Sequence, residues 1–285
     1  DGRIFEMNME ALLASLAEVA AGDNIDSAQQ MLDNAFSARA TKQTARARDY
    51  TSEACALVEQ FFAGGSRDAL LQFLDGTQDR VVEVMDSGEN GERALDALVL
   101  QSQLLLLGGE LHMDQGAFQD AAGDLKQALV LSEKLCDDLA AARCLRSQGM
   151  LHLIRKDVSK AEALLTQAVA RCQEAEDPTE EAATLKLLIQ LYEDRPNKHD
   201  KACELFHQML EALQGAGDQF GVNTTLLDLG QLRLRRHLAD TAEGKELEYA
   251  ELEMTDLDLQ GALSFFTEES ARVAAGETGD EGSDG

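Results

Sequence analysis

The sequence predicts an all-α fold in which helical hairpins stack into a solenoid, and three observations predict it. The first is composition. Two prolines stand in 285 residues, 44% of the chain is hydrophobic, aromatics make up 5%, and Trp is absent. Ala, Leu, Glu and Gln favour helices that proline would break, and runs rich in Val, Ile, Thr and Tyr, the mark of strands, are hard to find. The second is an echo. GELHMDQGAFQDAAGDLKQAL (Gly109–Leu129) returns forty residues later as GMLHLIRKDVSKAEALLTQAV (Gly149–Val169), with Gly, Leu, His, Ala, Leu, Gln and Ala at the same offsets. The third is punctuation, since short polar breaks separate amphipathic stretches along the chain. One helix pair cannot bury its apolar face alone, but stacked neighbours form a continuous core.

The elements follow in order. From Met7 to Val19 the apolar residues fall at helical spacing; AGDNID breaks the run, and Ile25–Phe36 forms the second arm of a hairpin. With the basic stretch that carries Arg39, Lys42, Arg46 and Arg48, residues 1–48 read as an N-terminal hairpin and basic linker. Within it, TKQTAR (Thr41–Arg46) matches six residues near the start of a histone H3 tail. Readers of that tail bind its free N-terminus and this stretch is internal, so coincidence is preferred over a modifiable or partner-contacting linker. Residues 49–91 read as a degenerate helical segment: Tyr50–Phe62 closed by Gly64 and Gly65, then Asp68–Leu74 and Thr77–Met85, then the break SGENGE.

Residues 92–238 carry the repeats. The pairs are Arg93–Met113 with Phe118–Leu135, Ala140–Ile154 with Val158–Glu174, and Thr179–Glu193 with His199–Leu213; a fourth first helix runs Phe220–Arg236. The second helices align through Ala121, Ala161 and Ala202, through Leu125, Leu165 and Phe206, and through Gln127, Gln167 and Gln208. The connectors CDD, EDP and AGD align as well. Gly109 and Gly149 on the first helices, with the alanines of the second, let helices approach where they cross. An acidic insert at 239–258, a closing helix at 259–275 and a disordered acidic, Gly-rich tail at 276–285 complete the chain.

This pattern resembles the tetratricopeptide repeat. The resemblance covers Arg93 to about Arg236, with a weaker closing helix. It rests on Leu105/Gly109, Leu145/Gly149 and Leu226/Gly230 in first helices, and on Ala121/Leu125/Ala128 and Ala161/Leu165/Ala168 in second helices. The forty-residue period is similar to the long-helix variety found in spindle-orientation and kinesin-light-chain adaptors. The resemblance implies a right-handed superhelix with extra N-terminal helices, and a non-catalytic protein-interaction scaffold, adaptor or assembly subunit that holds a partner segment in the groove lined by first helices. His112, His152 and Tyr192 stand where the family has an aromatic. The chaperone-binding subclass uses a Lys/Asn carboxylate clamp, but Glu110 and Met150 occupy the places of clamp asparagines, which speaks against chaperone tails as ligands. A fold does not name its ligand.

The net charge of −28, from 53 acidic and 25 basic residues, argues against nucleic-acid and anionic-membrane binding and permits a basic protein partner. Cys55, Cys136, Cys144, Cys172 and Cys203 are scattered without a Cys-x-x-Cys pair and read as reduced thiols of an intracellular protein. Cytoplasmic placement is expected, an organelle staying open because the chain begins at Asp1 and a lost targeting segment would leave no trace. No membrane span is expected, since Leu98–Leu107 is interrupted by Gln101, Ser102 and Gln103.

His112 and His152 invite a metal or acid–base reading, but one copied packing position explains both, and helices roughly 10 Å apart share an ion awkwardly. Cys203 and His207 lie four apart on one helix beside His199, yet a closed zinc site needs four ligands, so a buried structural thiol is preferred. Neither a phosphate-binding loop nor a protease or esterase motif occurs, and no catalytic residue, cofactor or metal is expected. The sharper signal lies in groove positions that do not repeat: Glu110 and Asp114 in one unit, Arg143 and Arg146 in the next, then Lys186, Arg233 and Arg235. Scarce basic residues on first helices suit an acidic or C-terminal-carboxylate peptide, gripped bidentately by Arg. The alternative is an acidic escort for a basic protein, using the 239–258 insert, which is also placed to fold back over RLRRH.

Overall fold

The computed structural model describes residues 23–62, 66–74, 77–193, 195, 198–242 and 249–274, and every described element is helical. The helices fall into two compact units, Asp1–Glu176 and Asp177–Gly285.

In the first unit, α1 (Asp23–Ala40) and α2 (Thr44–Phe61) form a close hairpin. Ala28, Leu32 and Ala35 on α1 and Ala47, Ala54 and Val58 on α2 are buried at helical spacing, and the small side chains permit the close approach. The sequence pattern pairs Ile25–Phe36 with Met7–Val19, which lies outside the described residues; the structure gives it α2 as a partner. The expected basic linker is a turn followed by the start of a helix. Lys42 takes φ 59°, and the amides of Lys42 and Gln43 donate back to the carbonyls of Arg39 and Ala38 at 2.9 and 2.8 Å. TKQTAR thus spans a turn and the first residues of α2. Two short helices, α3 (Ser66–Phe73) and α4 (Gln78–Asp86), lead to α5 (Glu89–Asp114), which packs on α1, α2 and α4. Among the described residues α5 is the one helix long and apolar enough to cross a membrane by composition, and 56% of that apolar window is buried inside the protein.

The repeat begins with α5 and continues through α6 (Phe118–Lys134), α7 (Asp138–Ile154) and α8 (Val158–Glu174). The two hairpins match. Gly109 on α5 faces Leu125 on α6, and Gly149 on α7 faces Leu165 on α8; a Cβ at either glycine would lie 2.7 Å from the leucine Cγ. The connectors match too, each a three-residue turn with a left-handed central residue: Gly116 at φ 77°, Cys136 at 54°, Lys156 at 62°. Only glycine adopts that conformation without strain, so the chain accepts a small penalty at Cys136 and Lys156 to keep the turn. The end of α6 also fastens α3, because Lys134 Nζ donates to the carbonyls of Leu71 and Leu74 at 2.9 and 2.7 Å.

The second unit holds α9 (Pro178–Glu193), α10 (His199–Gly215), α11 (Gln219–Ala242) and α12 (Tyr249–Ala274). Its second hairpin repeats the same crossing, with Gly230 facing Leu259 at 2.9 Å from the Cγ. In its first hairpin Ile189 replaces the glycine and Phe206 the leucine, and both are buried. The aspartates of the aligned connectors are helix caps: Asp137, Asp177 and Asp218 accept the amides of Ala140, Glu180 and Gly221 at 2.9, 2.9 and 2.8 Å. The segment read as an acidic insert over 239–258 is mostly helix, since α11 runs to Ala242 and α12 starts at Tyr249. Thr255 and Ala262 are buried at helical spacing, which carries α12 well upstream of the expected closing helix at 259. The tail at 276–285 lies outside the described residues.

Candidate partner-binding face

Within the first unit, α5 packs directly on α7, while α6 and α8 hardly touch. The first helices therefore make the closer, inner layer, and the side chains they turn away from the core line one face. On α5 these are Glu92, Asp96, Val99, Gln103, Leu106, Glu110 and Asp114, spaced at three and four residues along the whole helix and none of them buried. On α7 the same spacing gives Leu139, Arg143, Arg146, Met150 and Ile154, with Met150 and Ile154 well exposed.

The expected groove residues divide into three groups. Glu110 and Asp114 come together, but α1 has claimed them. Arg39 donates through Nη1 to Glu110 and through Nε to Asp114 at 3.1 Å, and Ser147 Oγ on α7 donates to Glu110 at 2.8 Å. Burial works against the Arg39 charge, yet the two carboxylates prevail and raise its pKa. This end of the face is an internal network that ties α1, α5 and α7 together. Arg143 and Arg146 sit half-buried on the α7 stripe. In the second unit, Lys186 on α9 and Arg235 on α11 share a hollow of about 230 Å³ with Glu193 and Asp228, so these two cations are brought together as a pair of surfaces facing one space.

Arg233 belongs to none of these. It is 5% exposed and points at α12, where Nη1 donates to Asp258 Oδ2 at 3.0 Å. Its Nη2 lies 3.3 Å from His207 Nε2, while His207 Nδ1 donates to the Cys203 carbonyl at 2.6 Å. The imidazole is thus held as a donor at Nδ1 and an acceptor at Nε2, and the chain of contacts links α10, α11 and α12. The expectation of a groove role for Arg233 is corrected accordingly: a guanidinium this far from water needs its partners inside the protein. It also means that Asp258, counted with the insert, is a packing partner of the very segment the insert was placed to cover.

The two repeated histidines have separate partners. His112 Nδ1 meets Asp124 Oδ2 at 2.8 Å, and His152 Nδ1 lies 3.6 Å from Asp157 Oδ2. Their carbonyls accept the turn amides of Ala117 and Asp157 at 2.8 and 2.9 Å. Cys203 Sγ lies 3.5 Å from His199 Nε2 on its own helix. Among the described residues no group of three or more His, Cys, Asp or Glu is placed to hold a metal ion.

Sequence reasoning missed Arg39 as a partner of the α5 acids and Asp124 and Asp258 as partners of the first helices. A signal was present. Arg233 stands three residues after Gly230, as His112 stands three after Gly109, and Asp258 precedes Leu259 as Asp124 precedes Leu125. It missed as well the open end of the α5 stripe, where Glu92 and Asp96 lie one turn apart.

Comparison with known proteins yields little beyond this. No family model matches the chain, and no curated protein matches it. Among solved structures the chain is similar to one described as "Crystal structure of BtubC (BKLC) from P. vanneervenii", at 14% identity and a TM-score of 0.45, covering 97% of this chain and 96% of that one.

Proposed function

We propose that this chain is a non-catalytic protein-interaction scaffold of the tetratricopeptide type, an adaptor or assembly subunit that holds a segment of a partner against its first helices. One observation carries the reading. α5 and α7, packed side by side, each present an unburied stripe along their length, carboxylates among apolar side chains on α5 and guanidiniums among apolar side chains on α7. A face that only needed solubility would be polar throughout; apolar side chains set among paired charges suit recognition of a peptide or helix. The crossings of Gly109, Gly149 and Gly230 with their leucines support the repeat type.

The test is affinity purification of the full chain from cells, with mass spectrometry of what accompanies it. Met150→Glu with Ile154→Glu changes two exposed side chains of the α7 stripe and leaves the buried core intact; Arg143→Glu with Arg146→Glu changes its charge. Loss of the same proteins from both variants, with unchanged circular dichroism, is the expected result. An unchanged set of partners in both would sink the proposal.

A further inference from the structure

Resting on the scaffold reading, we infer that the open end of the α5 stripe takes a basic amphipathic helix from the partner. Between α4, the first half of α5 and the connector into α7 lies a hollow of about 640 Å³. Its wall is apolar, with Val81, Leu95 and Leu135 nearly buried and Met85 48% exposed at the margin. Its charged lining is acidic throughout: Glu92, Asp96, Asp137 and Asp138, with neither lysine nor arginine.

The four carboxylates are not equivalent. Asp137 caps α7 through the Ala140 amide, and Asp138 accepts from Arg171 Nη1 at 2.5 Å on its other side. Glu92 and Asp96 are exposed, and among the described residues neither has a basic partner. They stand at i and i+4 on one helix face, where like charges repel. Glu92, in the first turn of α5, is favoured by the helix dipole; Asp96, a turn further in, gains little from it. An unrelieved acidic pair beside an apolar wall is the complement of a helix with one apolar stripe flanked by Lys or Arg. An anionic bilayer is a poor alternative occupant for a chain of net charge −28.

The probe is a fluorescently labelled synthetic peptide of roughly four helical turns, built from Leu, Ala and Lys as an amphipathic helix, with a second peptide carrying Glu in place of Lys. Binding to the full chain is followed by anisotropy. The Lys peptide should bind, weaken as salt is raised, and lose about tenfold in affinity with Glu92→Gln plus Asp96→Asn, each rim contact contributing a few-fold. Met85→Ser should weaken it through the apolar wall. Glu53→Gln plus Glu59→Gln on α2, the same charge change elsewhere, should leave it unchanged, which separates this hollow from general attraction to an acidic protein. Equal loss with both charge pairs, no loss with either, or equal binding of the Glu peptide overturns the assignment. If that happens while the α7 stripe variants still shed their partners, the scaffold reading stands and the basic helix alone is refuted.

Discussion

Replacing Gly149 with Ala asks whether the repeated glycine is a packing requirement. A methyl built there lies 2.7 Å from both Cγ and Cδ2 of Leu165, about an ångström inside ordinary carbon–carbon contact. Leu165 is fully buried, so it has no solvent to swing into, and relief has to come from moving α8. Two effects then oppose each other. Alanine is a better helix former than glycine by about 1 kcal/mol, and overpacking a core costs about 1–3 kcal/mol. Gly123→Ala isolates the first effect, because that glycine is exposed on α6 and a Cβ there meets nothing within 4 Å. Gly123→Ala should stabilise by up to about 1 kcal/mol, and the two variants should differ by the overpacking term, about 1–3 kcal/mol. Urea unfolding followed by far-ultraviolet circular dichroism reads the difference as a shift in midpoint at constant slope. Leu165→Ala supplies the cycle: it costs about 2–5 kcal/mol by itself, and in its background Gly149→Ala should turn neutral or stabilising. Equal stabilisation by Gly149→Ala and Gly123→Ala would refute the reasoning.

Two further predictions concern buried groups. Asp258→Ala leaves the Arg233 guanidinium without its carboxylate and should cost about 1–3 kcal/mol in thermal unfolding, whereas Arg233→Met, which removes the charge itself, should cost less; the reverse order would mean that the pair is not what holds α12. Burial pushes the Cys144 thiol from its ordinary 9.0 to about 12, with the Glu110 and Asp137 carboxylates adding to the rise and a hydrogen bond to Ser132 opposing it. Since the folded-state value is raised, the stability this thiol contributes is present in full below pH 9.0 and drains away as the pH climbs toward 12. Midpoints across that window should therefore fall less steeply for Cys144→Ala than for the parent chain.

The repeat was legible because packing copied itself. Three crossings set a residue without a side chain opposite a leucine, so Gly109, Gly149 and Gly230 recur with their partners, and the aspartates that cap the next helix recur with the connectors. Features without a copy were harder to see. Thr41–Gln43 reads as linker because its charge masks the turn, and nothing like the glycine of QGA marks it; Lys42 supplies the left-handed residue instead. The start of α12 reads as insert because acidic and apolar residues alternate there, and only the burial of Thr255 and Ala262 reveals its helical period.

The candidate face follows the same logic with the sign reversed, since residues that repeat belong to packing and what remains after subtracting them belongs to recognition. Arg233 fails that subtraction. It occupies the position of His112 and, like His112, reaches an aspartate just ahead of the crossing leucine, so its charge answers to α12 and not to a ligand. Glu110 and Asp114 pass it but are held from within by Arg39, a residue of another hairpin that no repeat alignment could supply. What survives on α5 is Glu92 and Asp96 beside apolar side chains, and the α7 stripe sets Arg143 and Arg146 beside Met150 and Ile154. On the scaffold reading a partner segment laid across these helices meets carboxylates on one and guanidiniums on the next. Affinity should then depend on the order of charge along that segment as well as on its total, which a scrambled peptide of equal composition would reveal.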